Sequence, residues 1–137
     1  MKIYIGDKHD LIIKKLLNKM TKEKIPNSVR NSVWGIFFHD TLNGICVCCN
    51  RENISLGTFH CGHIISEHHG GLVNVFNLVP ICQNCNHGTQ NLIEMMRQYG
   101  FNKLNPDGYN KILNHHKKYK QEFIKQKDHD SKMMTSS

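Results

Sequence analysis

The chain has 137 residues, of which 39% are hydrophobic and 21% are charged, and its formal net charge is +7 at neutral pH. This length and composition suit one small folded domain and exclude a fully disordered chain. No apolar run approaches the roughly 18 residues of a membrane span, and the N-terminus lacks the apolar core of a signal peptide. The sequence therefore predicts an intracellular protein, cytoplasmic or nuclear, that is neither secreted nor bound to a membrane.

The positive charge lies at the two ends of the chain. Residues 1–45 and 101–137 each carry 8 Lys and Arg against 4 Asp and Glu, whereas residues 46–100 carry 2 against 3. Excess lysine attracts polyanions, and nucleic acid is the usual one. The alternative is that the lysine-rich helices are only solvated surfaces.

The first third of the chain is predicted to be helical. Residues 8–24 place apolar side chains at helical spacing, and Ile25-Pro26 ends that helix. A second helix is expected from Asn27 or Ser28 to Phe38. Its inward residues are predicted to be Val29, Val33, Trp34 and Phe37, with the single tryptophan filling the core.

The middle of the chain is predicted to contain short strands and loops. Residues 54–65 indicate a strand or a hairpin, and residues 68–71, His-His-Gly-Gly, indicate a flexible loop. The apolar segment 78–81 is followed by a helix expected over residues 84–99.

A last helix is expected after Pro106, with Ile112, Leu113, His116 and Phe123 on its inner face. His115-His116 stands among Lys117, Lys118 and Lys120, and this run is predicted to be a solvated helical face that contacts phosphate. The predicted organisation is a helical lead-in over residues 1–45, a zinc-stapled module over 46–100, a basic helix over 101–130 and a disordered tail over 131–137.

Six cysteines, at positions 46, 48, 49, 61, 82 and 85, all lie in the nearly neutral middle segment. In a reducing compartment such clusters bind metal more often than they form disulfides. Cys46 and Cys49 form one C-x2-C pair, and Cys82 and Cys85 form another after 32 intervening residues, which matches a structural zinc site with four thiolates. Cys48 could replace either member of the first pair, although the spacing favours Cys46 with Cys49.

The segment between the two pairs carries a composite motif. It contains Cys61-Gly62-His63, then Gly70-Gly71, then Asn77-Leu78, and it closes with Cys85-Asn86-His87. This pattern resembles the HNH endonuclease family, including zinc-knuckle members found in large DNA viruses. The resemblance covers about residues 46–92 and implies an α+β fold, in which a small ββα-metal module is flanked by N- and C-terminal helices.

The resemblance implies roles for particular residues. His63 would be the general base that activates water, and Asn77 would be the second catalytic position, bracing the loop and orienting that histidine. Asn86, with His87 as a substitute, would hold a catalytic Mg²⁺ or Mn²⁺, distinct from the zinc. The partner would be nucleic acid, expected to be double-stranded DNA, with Lys117, Lys118 and Lys120 contacting phosphates.

Simpler roles are open for the same residues. His63 could instead be a zinc ligand or a buried histidine, and Asn86 could be a helix cap. His68 and His69 are expected to be exposed loop residues, although they or His60 could help to hold a metal. Many active family members carry Asp or His directly before the base, where this chain has Gly62.

Two functions follow from these alternatives. The first is a metal-dependent endonuclease that hydrolyses DNA phosphodiester bonds. The second is a catalytically inactive zinc module that binds nucleic acid or a protein partner, and Gly62 is the feature that favours it. A third hypothesis is a purely structural protein, and the basic ends of the chain argue against it.

Overall fold

The computed structural model describes residues 24–135 together with Ile13, and in the last helix it describes side chains as far as Gln121. The predicted helix over residues 8–24 therefore lies almost wholly outside the described residues. The described chain is a small α+β domain, which is the predicted class. Its elements are α1 (Asn27–Phe38), β1 (Asn43–Ile45), β2 (Asn53–Ser55), β3 (His60–His63), β4 (Leu78–Ile81), α2 (Leu92–Gln98), α3 (Phe101–Leu104) and α4 (Pro106–Thr135).

Helix α1 supplies the aromatic part of the core, as its periodicity predicts. Val33 and Trp34 are buried, and Val29 and Phe37 are half-buried against the same cluster. The Trp34 ring lies 4.6 Å from the Phe38 ring and its indole Nε1 donates a hydrogen bond to the carbonyl of Thr41 at 2.7 Å. A buried indole needs such a partner, and this bond fixes the turn after the helix.

The strands form two separate antiparallel pairs, β1 with β2 and β3 with β4. Residues 54–65 are therefore not one hairpin, because β2 and β3 belong to different sheets. In the second sheet His60 pairs with Ile81 and His63 pairs with Leu78, and all four residues of β4 are buried. The Val47 N–H donates to the carbonyl of Pro80 at 3.3 Å, which links the two sheets.

The helix predicted over residues 84–99 is shorter than expected. A 3-10 turn ends at Cys85, and α2 begins only at Leu92, with Asn91 in the N-cap position. The Asn91 side chain accepts a hydrogen bond from the Ser66 N–H at 2.9 Å, and the Leu92 N–H donates to the carbonyl of Ile64 at 2.9 Å. These two contacts with the β3–β4 loop set the start of the helix, so Asn86, which follows the 3-10 turn, does not cap α2.

Helix α4 packs more of its surface inward than its lysines suggest. Ile112 and His116 are buried, as the predicted inner face requires, but His115 is buried as well, so the prediction of His115-His116 as a solvated face is wrong. His115 Nε2 lies 2.8 Å from the carbonyl of Val75 and 3.1 Å from that of Leu78. Burial lowers the pKa of both imidazoles, so they add no positive charge to the helix near neutral pH.

Helix α4 continues beyond the bound at residue 130 that the sequence predicts. Helix α4 extends to Thr135 and so includes residues 131–135 of the predicted tail, while the Phe123 side chain is outside the described ones.

None of the described helices has both the length and the apolarity needed to cross a membrane.

Candidate functional site

The two C-x2-C pairs converge at the ends of strands. Cys46 directly follows β1, and Cys82 directly follows β4. The ligand atoms of Cys46, Cys49, Cys82 and Cys85 all lie within 4.8 Å of one another. Zinc–sulfur bonds of about 2.3 Å place sulfurs about 3.8 Å apart around a tetrahedral ion. The Cys49 and Cys82 sulfurs are 4.0 Å apart, so the four-cysteine cluster fits the predicted structural zinc.

Hydrogen bonds around the cluster favour a thiolate at Cys46. The Cys82 N–H donates to Cys46 Sγ at 3.2 Å. Hydrogen bonds from the Cys48 and Cys85 thiols hold the pKa of Cys46 well below its usual range, and the same contacts raise the pKa of Cys85. Metal ligation requires thiolate, and the Cys82 N–H is a donor to Cys46 Sγ that remains when the four thiols lose their protons.

Cys48 and Cys61 stay outside the cluster. All six cysteines are buried and free of disulfides, but the four gathered sulfurs do not include that of Cys48. The hydrogen bond from its thiol to Cys46 raises the pKa of Cys48, and burial raises the pKa of Cys61 to about 11. Both therefore remain protonated near neutral pH.

Asn105 supports the first pair, a role that the sequence reasoning missed. It is buried, and its Nδ2 donates to the carbonyls of Val47 at 2.8 Å and Cys48 at 3.0 Å. Its Oδ1 accepts from the Gly108 N–H at 3.2 Å, at the start of α4. The sequence signal was Asn-Pro-Asp-Gly, which indicates a helix start but not what that start contacts.

A small cavity brings together residues from the two ends of the motif. Gly62 and His63 of β3 line it from one side, and Asn86 and His87 line it after the second cysteine pair. Its volume is about 20 Å³, which is room for about one water molecule. The β3–β4 sheet and the four-cysteine cluster thus position His63 beside a water-sized space.

His63 is paired with a carboxylate that the sequence reasoning did not identify. Its side chain is 15% exposed, and its Nε2 lies 3.5 Å from Oε1 of Glu67 in the loop after β3. A carboxylate at this distance stabilises a positive imidazolium. The sequence signal that could have identified this pair was the spacing of four residues between His63 and Glu67.

Asn77 holds the loop that follows His63. It is fully buried, its Oδ1 accepts from the Ile65 N–H at 2.9 Å, and its Nδ2 donates to the carbonyls of Ile65 at 3.1 Å and Leu72 at 3.0 Å. Asn77 therefore positions the backbone two residues beyond His63.

The paired glycines allow this loop to close. Gly70 has a φ of +88°, which favours glycine, and a Cβ at Gly71 would overlap the carbonyl of Ile65. The Gly71 N–H donates to the carbonyl of Ser66 at 2.9 Å, and His69 Nδ1 lies 2.7 Å from Ser66 Oγ. The loop is thus fixed by defined hydrogen bonds, and His68 is exposed as expected.

Replacement of Asn77 by Ala should cost roughly 2–4 kcal/mol of unfolding free energy, because it leaves buried backbone groups of the loop without partners. Urea denaturation of the zinc-loaded protein measures this loss. Asn74→Ala is the matched control, since the half-buried Asn74 makes one side-chain hydrogen bond, to the Phe76 N–H at 2.9 Å. Equal losses in the two variants would contradict the bracing role of Asn77.

The predicted ligands of a catalytic Mg²⁺ or Mn²⁺ do not form a ready site. Asn86 and His87 are exposed, with Asn86 Nδ2 lying 3.3 Å from His60 Nδ1 and the His87 ring stacked 5.5 Å from that of Tyr99. Within the described part of the chain, the four cysteines are the one group of three or more His, Cys, Asp or Glu side chains close enough to hold a metal. Since Mg²⁺ is usually bound through carboxylates, these residues fit it poorly.

Packing in the core favours glycine at position 62, which also leaves this position without a side chain that could hold a metal. A Cβ at this position would overlap Cδ1 of Ile81, which is fully buried. The space in which a residue before His63 would carry its side chain is therefore filled by the core.

The predicted phosphate-contacting lysines are placed on α4. Lys117, Lys118 and Lys120 are all exposed, and Lys118 Nζ lies 5.7 Å from the ring centre of Phe76, the residue before Asn77.

Comparison with models of protein families, with curated proteins and with solved structures gives no match.

Proposed function

We propose that this protein is an HNH-type endonuclease that hydrolyses phosphodiester bonds of nucleic acid, with double-stranded DNA as the expected substrate. The observation that carries the proposal is the water-sized cavity lined by Gly62, His63, Asn86 and His87 beside the four-cysteine cluster. The order of elements also supports it, because the antiparallel pair β3–β4 is followed by helix α2.

In this proposal His63 is the general base. One imidazole nitrogen takes a proton from water, the water oxygen bonds to phosphorus, and the bond from phosphorus to the leaving oxygen breaks with its electron pair. Glu67 stabilises the positive charge that His63 acquires. Asn77 is a positioning residue, since it contacts the backbone of the loop and not the cavity.

The four-cysteine cluster has a structural role in this proposal. Zinc bound there would hold the ends of β1 and β4 together and would leave no open ligand position for chemistry. The exposed lysines of α4 would add attraction for phosphates that weakens with salt.

The second candidate is a binding module without catalysis, and the environment of Gly62 favours it. Gly62 has no side chain that could hold a cation, and Ile81 occupies the space that such a side chain would need. A bound nucleic acid would then meet the same surface without being cut.

Nicking of supercoiled plasmid by the native protein, with Mg²⁺, Mn²⁺ or no added cation, separates the two candidates. We expect nicking by the native protein, and comparison of the three conditions shows whether an added cation is needed. Zinc content should be measured in each reaction, because a chelator would also strip the cysteine cluster. Plasmid binding in a gel shift without any nicking would overturn the nuclease proposal and favour the binding module.

A Gly62→Asp, Ile81→Val double variant should nick at least as fast as Ile81→Val alone. The valine removes the Cδ1 atom that blocks residue 62, and aspartate adds a carboxylate ligand beside His63. Plasmid nicking with Mn²⁺ measures the change. Activity present in the double variant and absent in both Ile81→Val and the native protein would show that the native chain only binds.

A further inference from the structure

A second cavity lies next to the one that contains His63. Its volume is about 330 Å³, and Cys85 and His87 line both cavities. Aromatic rings of Tyr99 and Phe101 form one part of its wall, and the cysteines form another. A ligand in this pocket would therefore contact the same His87 that borders the space beside His63.

The aromatic rings form a continuous wall on an exposed surface. Tyr99 lies between His87, at 5.5 Å with ring planes 26° apart, and Phe101, at 6.3 Å with planes 34° apart. Tyr99 remains 50% exposed, so it does not serve mainly as core filling. Partly exposed aromatic side chains at a nucleic-acid site are typical platforms for unpaired bases.

Polar side chains at the pocket suit a neutral, planar, hydrogen-bonding ligand. Arg51 and Glu52 carry opposite charges, and Asn84 offers both donors and an acceptor. All three are exposed. The volume stands at the lower end of the roughly 300–1,000 Å³ of small-ligand pockets, which suits one ring system.

We propose that this pocket binds one unpaired nucleobase, with the adjoining phosphate of the same strand outside the water-sized His63 cavity, next to the exposed Asn86 and His87. The ligand class rests on the proposed nucleic-acid function. A base within an intact duplex is stacked on both faces, so the pocket would select a bulged, mismatched or extruded base. Such a preference would direct the protein to irregular sites in a duplex.

Fluorescence anisotropy with two labelled DNA duplexes tests this proposal on the zinc-loaded full chain without added Mg²⁺ or Mn²⁺. One duplex carries a single bulged adenine, and the other carries an abasic residue at the same place. Both have the same phosphates, so their difference isolates the base. We expect the native protein to bind the bulged adenine roughly tenfold more tightly, a typical value for one stacked base.

The Tyr99→Ala variant should bind both duplexes with the weaker affinity, whereas Tyr99→Phe should keep the preference because its ring still stacks. Leu104→Ala is the matched truncation, since Leu104 is 66% exposed on α3 and does not line the pocket. Equal affinity of the native protein for both duplexes would overturn the proposal. A preference that survives Tyr99→Ala, with native zinc content, would overturn it as well.

Failure of the pocket and failure of the nuclease are distinguishable in these experiments. Nicking of plasmid without any preference for the bulged adenine would retain the nuclease and remove the pocket. A Tyr99-dependent preference without nicking would retain the pocket and make the protein a binder of irregular DNA.

Discussion

A Cys82→Ser variant is expected to lose its zinc and, with it, the folded arrangement of residues 43–98. Cys82 is buried, and its backbone N–H also donates to Cys46 Sγ. Structural zinc in small domains contributes roughly 10–16 kcal/mol of apparent binding free energy, as much as or more than the whole stability of a typical domain. Loss of one ligand should therefore shift the equilibrium to the unfolded state.

The short strands explain why little structure should remain. β1 and β2 have three residues each, and β3 and β4 have four. Isolated two-stranded sheets of this length are marginal in water. The four-cysteine cluster joins the ends of β1 and β4, so a bound metal would hold the two sheets together alongside the Val47–Pro80 hydrogen bond.

Zinc stoichiometry and amide hydrogen exchange measure this effect. Cys61→Ser is the matched control, because Cys61 is equally buried but its sulfur lies outside the cluster. That control should keep one zinc per chain and lose only roughly 1–3 kcal/mol, the cost of burying an unpaired hydroxyl. A Cys82→Ser protein with full zinc and native exchange protection would refute the structural zinc.

The sequence predicted the features that short-range chemistry determines. The C-x2-C spacing places two thiolates on one turn, and the gathered sulfurs are those that this spacing favoured. Helical periodicity likewise placed Val33 and Trp34 in the core. Each pattern depends on residues within a few positions of each other, so it can be recognised in a single sequence.

Contacts between distant segments were not predictable in the same way. The start of α2 depends on Asn91 reaching Ser66, and the space at Gly62 depends on Ile81. His115 is buried because its ring meets two carbonyls around Asn77, some 37 to 40 residues earlier. Local composition among lysines indicated the opposite environment for His115.

The His63→Ala variant is expected to nick plasmid roughly 10²- to 10⁴-fold more slowly than the native protein. That range is what a positioned general base usually contributes. The variant should stay folded, because His63 is at the rim of the cavity with a partly exposed side chain and lies outside the four-cysteine cluster. The assay is supercoiled-plasmid nicking with Mn²⁺, alongside zinc content and a gel shift.

His68→Ala controls for the loss of a histidine from the same loop. His68 is exposed and does not line the cavity, so its nicking rate should stay near the native value. Native-like nicking by a clean preparation of His63→Ala would exclude this histidine as the base. Loss of nicking with zinc content and DNA binding retained would instead separate catalysis from folding and from affinity, because the exposed lysines of α4 and the cysteine cluster remain intact in that variant.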